Sequence, residues 1–166
     1  LYPIKYAPTF QGGIAMKIVI LDGRALNPGD LSYEPLRQFG ELTVYDRTDT
    51  VEEAIARIGD NEIVLVNKLP VTEQLLTACP GIRLICVQAT GYNTVDCAAC
   101  ARRGIPVTNV PTYGTAAVAQ FTFALMLELC HRVGHHDALV HAGRWKTCGA
   151  FCFWDTPQME LAGKTL

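Results

Sequence analysis

Along the chain, short runs of nearly continuous apolar residues alternate with stretches in which apolar positions recur every three or four residues. KIVIL (17–21), LTVYD (42–46), EIVLV (62–66), RLICV (83–87) and PVTNV (106–110) belong to the first kind. Their β-branched, unbroken character predicts strands covered on both faces. LSYEPLRQF (31–39), TVEEAIARI (50–58), TEQLLTAC (72–79) and TVDCAACARR (94–103) belong to the second kind and predict helices, with Thr50 and Thr72 as N-caps. Strict alternation of strand and helix implies a parallel sheet with right-handed crossovers, hence a doubly wound α/β layer structure. After Pro111 the pattern changes. Residues 115–133 read as one long helix, apolar around most of its circumference, of the kind that is buried in a larger core or against another subunit. Gly134 is expected to interrupt it, and 135–145 to form a shorter helix ending near Gly143. The remainder, with turn residues and aromatics, reads as an arm.

Composition narrows the function classes. A chain of 166 residues holds one domain, or one domain and an appendage. It is 49% apolar, enough to bury a core, which excludes disorder. Only 18% of residues are charged, against roughly 25% in a typical soluble domain, so either the domain is unusually buried or part of its surface expects a partner. The net charge of −2 removes the electrostatic case for nucleic acid or an anionic membrane surface. Gln120 and Glu128 break the longest apolar stretch, so no membrane span is expected. Seven cysteines, at 79, 86, 97, 100, 130, 148 and 152, are an odd number scattered through core-like contexts. That usage, with no signal-peptide pattern, predicts a reducing, cytoplasmic compartment. Residues 1–15 precede a Met16 that opens the first strand and read as an added leader. The expected organisation is therefore a leader (1–15), an α/β domain (16–110), and a long helix with its arm (111–166).

In an open parallel sheet, ligands bind beyond the carboxyl ends of the strands. Two loops at that edge carry suggestive residues. Ala89-Thr90-Gly91-Tyr92-Asn93 follows the fourth strand. Gly91 permits close backbone approach, and free N–H groups before the next helix favour a carboxylate or phosphate. Asn93 and Asp96 resemble a capping box. The plainer alternative is a glycine needed only for a tight turn. The second loop, Asn67-Lys68-Leu69-Pro70, offers an amide and a cation beside the first, or merely a solvated lysine in a turn. Cys97-x-x-Cys100 has redox spacing but is expected inside a helix, where small packing residues are the better reading. His131 and His135 stand four apart without a carboxylate in a recognisable pattern, so no metal site is expected. There is no Gly-x-Ser-x-Gly, no Walker loop and no Gly-x-Gly-x-x-Gly, and no residue stands out as a catalytic acid or base.

The stretch ATGYNTVDCAACARRGIPVTNVPTYGTAAVAQFTFALMLEL (89–129) closely resembles the D-isomer-specific 2-hydroxyacid dehydrogenases. VTNVPTYGT, VAQ, GRW and FCFWD resemble most the glycerate dehydrogenase (hydroxypyruvate reductase) branch, whose members share Gln at position 120 where many relatives have Glu. The likeness runs from about Met16 to Leu166. It implies a flavodoxin-like substrate domain over a five-stranded sheet, then a segment that enters a Rossmann domain binding NAD or NADP. It further implies hydride transfer between nicotinamide and a D-2-hydroxy acid or 2-keto acid. By the same resemblance the Gly-rich dinucleotide motif and the catalytic Arg, Glu and His lie beyond Leu166, so this chain is expected to hold no catalytic residue and to show no turnover. What carries over is Thr90 and Gly91 as the substrate-carboxylate loop, Thr90 also near the nicotinamide, and Asn67 and Lys68 as the neighbouring substrate loop. The resemblance also implies a homodimer through 115–133 and the arm, with Phe153 or Trp154 reaching a partner's active site. The rival expectations are a non-catalytic dimerisation or ligand-binding module of the same fold, and a thiol-redox protein using Cys97 and Cys100.

Overall fold

The computed structural model describes residues 16–165; the expected leader lies outside them. Its contacts divide the chain into two compact units, the first ending at Thr112 and the second being Tyr113–Leu166.

In the first unit, β1 (Met16–Ile20), β2 (Gly40–Val44), β3 (Ile63–Val66), β4 (Leu84–Val87) and β5 (Val107–Thr108) form one parallel sheet in the order β2-β1-β3-β4-β5. The five expected strands are all present, shifted by a residue or two. Successive side chains divide between faces as a two-residue period requires. Val19 and Leu21 join the larger core, with Ala54, Ile58, Leu75 and Ile85. Ile18 and Ile20 lie with Leu42 and Leu65 on the other side, packed against Tyr33, Leu36 and Phe39. Gly40 opens β2 where a Cβ would stand 1.9 Å from the Met16 carbonyl oxygen, so the β1–β2 register itself demands a glycine.

Between the strands lie α1 (Gly23–Leu26), α2 (Glu34–Arg37), α3 (Val51–Ile58), α4 (Glu73–Ala78) and α5 (Cys97–Arg102). Thr50 and Thr72 cap α3 and α4 as expected, accepting from the N–H groups of Glu53 and Leu75. The helix expected over 31–39 is a single turn, with Pro35 in its first positions. The helix expected from Thr94 starts three residues later. Val95 forms a parallel bridge to Val71, with Val71 N–H donating to Thr94 O and Asp96 N–H to Val71 O, which engages these residues outside the helix. Asp96, not Asn93, is the N-cap and accepts the Ala99 N–H at 2.8 Å. The Asn93–Asp96 capping box is therefore not formed, and Cys97 stands at the first helical position instead of inside the helix.

In the second unit, α6 (Thr115–His131), α7 (Val133–His141) and α8 (Arg144–Thr147) precede an irregular arm. The break falls at Arg132, two residues before the expected Gly134, and bends the helix pair by 58°. Arg132 takes a left-handed conformation (φ 48°), and its N–H closes α6 on Glu128 O. The Glu128 carboxylate then accepts the Gly134 N–H at 3.3 Å, so Gly134 lies within α7. No single helix among the described residues is long and apolar enough to cross a membrane. Among the described residues the burial expected for 115–133 is not found: in α6 only Cys130 is buried, while Val118 and Leu129 are 67% and 83% exposed.

Candidate functional site at the carboxyl edge of the sheet

Parallel strands deliver all their outgoing loops to one edge, and β1, β3, β4 and β5 are consecutive neighbours there. Val66 pairs with Val87, so the loops beginning at Asn67 and Gln88 leave the sheet side by side.

After β4, the chain is tied to the segment that follows β5. Val110 N–H donates to Ala89 O at 3.1 Å. The Asn109 side-chain amide donates to Thr90 O at 2.8 Å, and the Thr90 hydroxyl donates to Val110 O at 3.1 Å. Thr90 and Gly91 are exposed, and among the described residues no acceptor meets their N–H groups. Because α5 starts only at Cys97, these donors belong to the loop itself and not to a helix terminus.

After β3 the arrangement is different. Asp22, at the end of β1 and 6% exposed, places one carboxylate oxygen on three consecutive N–H groups, those of Asn67 (2.9 Å), Lys68 (3.0 Å) and Leu69 (3.3 Å). This is an internal anion in a backbone nest. The loop's N–H groups are consumed, so only its side chains remain to meet a ligand. The Asn67 side chain is buried with Oδ1 unpartnered, and Gln88 Oε1, in the loop after β4, is likewise buried and unpartnered. Two orphaned acceptors at a ligand-bearing edge mark a place where a donor belongs.

Lys68 lines a 330 Å³ cleft with Asp22, Arg24, Arg47 and Asp49, at the ends of β1 and β2. Asn109 lines a separate 240 Å³ hollow with Tyr92, Cys97 and Thr108. The chain has no Gly-x-Gly-x-x-Gly, and the free donors at Thr90 and Gly91 suit a carboxylate, not the length of a pyrophosphate. A dinucleotide thus has no cradle among the described residues.

Phe153 and Trp154 lie in the second unit and differ sharply. Phe153 packs inside it, its ring 5.9 Å from Trp145 and 6.3 Å from His136. Trp154 is 71% exposed. The arm is fastened by His135 to Asp155 (2.9 Å), His131 to Gln158 (3.2 Å) and Trp145 Nε1 to Phe151 O (3.0 Å). His131 and His135 therefore fasten the arm, and among the described residues no cluster of His, Cys, Asp and Glu is placed to hold a metal ion. All seven cysteines are free. Burial pushes the thiols of Cys79 and Cys100 upward, which opposes thiolate chemistry at the second cysteine of the Cys-x-x-Cys pair.

Asp22 and Asn109 escaped the sequence reading. Asp22 had one signal, an acid directly abutting a buried strand end. Asn109 falls inside the strand expected over 106–110, whereas β5 ends at Thr108.

A doubly wound sheet in the order 2-1-3-4-5 with polar loops at its carboxyl edge defines a small-ligand α/β domain. The chain belongs to the D-isomer specific 2-hydroxyacid dehydrogenase family, whose catalytic-domain model matches residues 18–156. It is 54% identical over 153 residues to a hydroxypyruvate reductase of Blautia hydrogenotrophica, covering 91% of this chain and 48% of that protein. Among solved structures it is similar to a 2-hydroxyacid dehydrogenase of Ketogulonicigenium vulgare, with a TM-score of 0.67 and 26% identity over 89% of this chain and 45% of the other. It is also similar to the NADPH-dependent glyoxylate/hydroxypyruvate reductase of Sinorhizobium meliloti, solved with NADP and malonate, with a TM-score of 0.64 and 25% identity over 91% of this chain and 44% of the other. The chain spans about half the length of the curated relatives it matches.

Proposed function

We propose that residues 16–110 are the substrate-binding domain of an NAD(P)-dependent oxidoreductase acting on a D-2-hydroxy acid and its 2-keto acid, of the glycerate and hydroxypyruvate type. In this reading 111–166 are the interdomain helix, the dimerisation arm and the entry to a Rossmann cofactor domain. The carrying observation is the exposed Thr90–Gly91 loop at the sheet's carboxyl edge, with its N–H groups free to receive a substrate carboxylate. Thr90 also faces the nicotinamide end, and Asn67 and Lys68 form the adjoining wall, Asn67 supplying an unpartnered acceptor for a substrate hydroxyl. The cofactor, when bound, supplies the hydride, and this chain's part is to hold and orient the acid. The hydroxypyruvate reductase and the malonate-bound relative support a small acid as the ligand. The division of contacts at Thr112 supports the proposed boundary, and the free thiols support a cytoplasmic setting. Trp154, exposed where Phe153 is packed, is the better candidate to reach a partner's site.

The test is hydroxypyruvate added to the purified 166-residue chain, followed by amide NMR and by NADH oxidation. Saturable shifts at Thr90 and Gly91 without NADH turnover are the expected result. Binding elsewhere, or steady turnover by a chain of verified mass, would overturn it.

A further inference from the structure

Successive carbonyls of an extended chain point in alternate directions, and so do its N–H groups. At Ala89 and Thr90 this alternation is broken. The Ala89 carbonyl accepts from Val110 N–H, and the next carbonyl, that of Thr90, accepts from the Asn109 side chain. Both are held by the same two-residue segment after β5. Each peptide unit is trans, for there is no cis peptide bond among the described residues. In a trans unit the N–H points opposite to the C=O it shares a plane with. The Thr90 N–H therefore points away from segment 109–110, and so does the Gly91 N–H. Two consecutive donors facing one way form an anion-receiving nest.

The two restraints differ in origin. The Ala89 carbonyl is fixed by a backbone bond that any residue at 110 other than proline would supply. The Thr90 carbonyl is fixed by a side chain, and among the described residues Asn109 Nδ2 is its donor. Gly91 has no Cβ to oppose rotation of that plane, and a Cβ there would meet Asn93 Oδ1 at 3.3 Å. A glycine peptide left unheld samples both orientations, so its N–H is a donor aimed only part of the time.

We infer that Asn109 is a positioning residue for the substrate carboxylate: by holding the Thr90 carbonyl it orients the Gly91 N–H, turning one backbone donor into a two-donor cradle. The inference rests on the proposed carboxylate role of Thr90–Gly91. Asn109 touches no substrate in this account. Its neighbours in the hollow it lines are Tyr92, Cys97, Val107 and Thr108.

The experiment titrates hydroxypyruvate into the full chain, labelled for amide NMR, as wild type and as Asn109→Ala and Asn109→Asp. Asp keeps the shape of Asn but is an acceptor only, so a role in packing would survive that change and a donor role would not. Both variants are expected to bind at least about tenfold more weakly, losing one of two charge-assisted hydrogen bonds. Their thermal midpoints are expected to stay close to wild type, and their ligand-induced shift is expected to shrink at Gly91 more than at Thr90. If wild type binds and Asn109→Asp binds within about twofold of it, the role of Asn109 is overturned while the carboxylate loop stands. If wild type shows no shift at Thr90 and Gly91, the loop reading itself fails and the inference with it. Should both variants fail to fold, wild type alone decides. A through-bond coupling from Asn109 Nδ2 to the Thr90 carbonyl carbon, with slow exchange of that carboxamide, supports the inference, and exchange at the rate of a free carboxamide overturns it.

Discussion

Asp22 illustrates how one side chain sets the geometry of a loop 45 residues away. Its carboxylate meets three backbone donors in succession. Taking it away leaves those donors facing a space too confined for full hydration at Asn67 and Leu69, both buried. Hydrogen bonds to a charged group contribute about 1.5–3 kcal/mol each, and a buried donor left unpaired costs about as much again. Asp22→Ala is expected to destabilise the first unit by about 3 kcal/mol, read from urea unfolding. Asp22→Asn, which keeps one acceptor oxygen without its charge, is expected to lose less. A change below about 0.5 kcal/mol for Asp22→Ala would show that the loop does not depend on the carboxylate. The same residue shows why part of the site was hidden in the sequence. Thr90–Gly91 and Asn67–Lys68 are legible because polar residues and a glycine interrupt apolar runs where a strand must end. Asp22 and Asn109 act through contacts 45 and 19 residues away, and no local pattern encodes which carbonyl or N–H a side chain will find across the sheet.

Among the elements, α4 and α5 are joined at their outer ends by Glu73, which bonds Arg103 and, at 2.8 Å, Arg102. The Arg103 hydrogen bond, helped by Arg102 and opposed by partial desolvation, holds the Glu73 carboxyl below its ordinary value of 4.5. A depressed carboxylate contributes stability above its unfolded value and loses it as pH falls through the folded one. The contribution is therefore present above pH 4.5 and fades in more acid solution. Urea midpoints of wild type and Glu73→Gln are expected to differ at neutral pH and converge towards pH 3; a constant gap would mean that Glu73 acts through packing alone. The break between α6 and α7 yields a second test. Arg132 holds a left-handed conformation that costs an L residue about 1–2 kcal/mol and glycine little. Arg132→Gly is expected to stabilise the second unit by up to about 1 kcal/mol in thermal unfolding, and a loss of stability would show that the Arg132 side chain outweighs the strain. Such breaks resist reading because glycine is the ordinary marker. Gly134 was the visible candidate, whereas the bend is set by Glu128, whose carbonyl closes one helix while its carboxylate opens the next.

At the scale of the molecule, the shortage of charge has a definite location. The first unit buries its apolar strands between helices in the usual way, but α6 leaves Phe121, Phe123, Leu125, Leu127 and Leu129 at least 44% exposed. Turns of a helix bring residues three and four apart onto one face, so Val118, Phe121, Leu125 and Leu129 make a continuous stripe. A 17-residue helix is about 25 Å long at 1.5 Å per residue, enough for an isologous contact to bury several of these side chains at once. Contiguous apolar surface of that extent is rare on a monomer. Each large side chain removed from water contributes about 1.5–3 kcal/mol, so a stripe met by its own copy has the apolar content of a micromolar dimer or better. Sedimentation of the chain at micromolar concentration is accordingly expected to give a species of twice 18.2 kDa. The double substitution Leu125→Glu and Leu129→Glu places two charges on the stripe without touching the sheet, and it is expected to return the chain to 18.2 kDa with the Thr90–Gly91 loop still binding acid. A wild-type monomer at that concentration would remove α6 as the dimer contact. It would leave the carboxylate role proposed for Thr90–Gly91 unaffected, since that loop is built within the first unit.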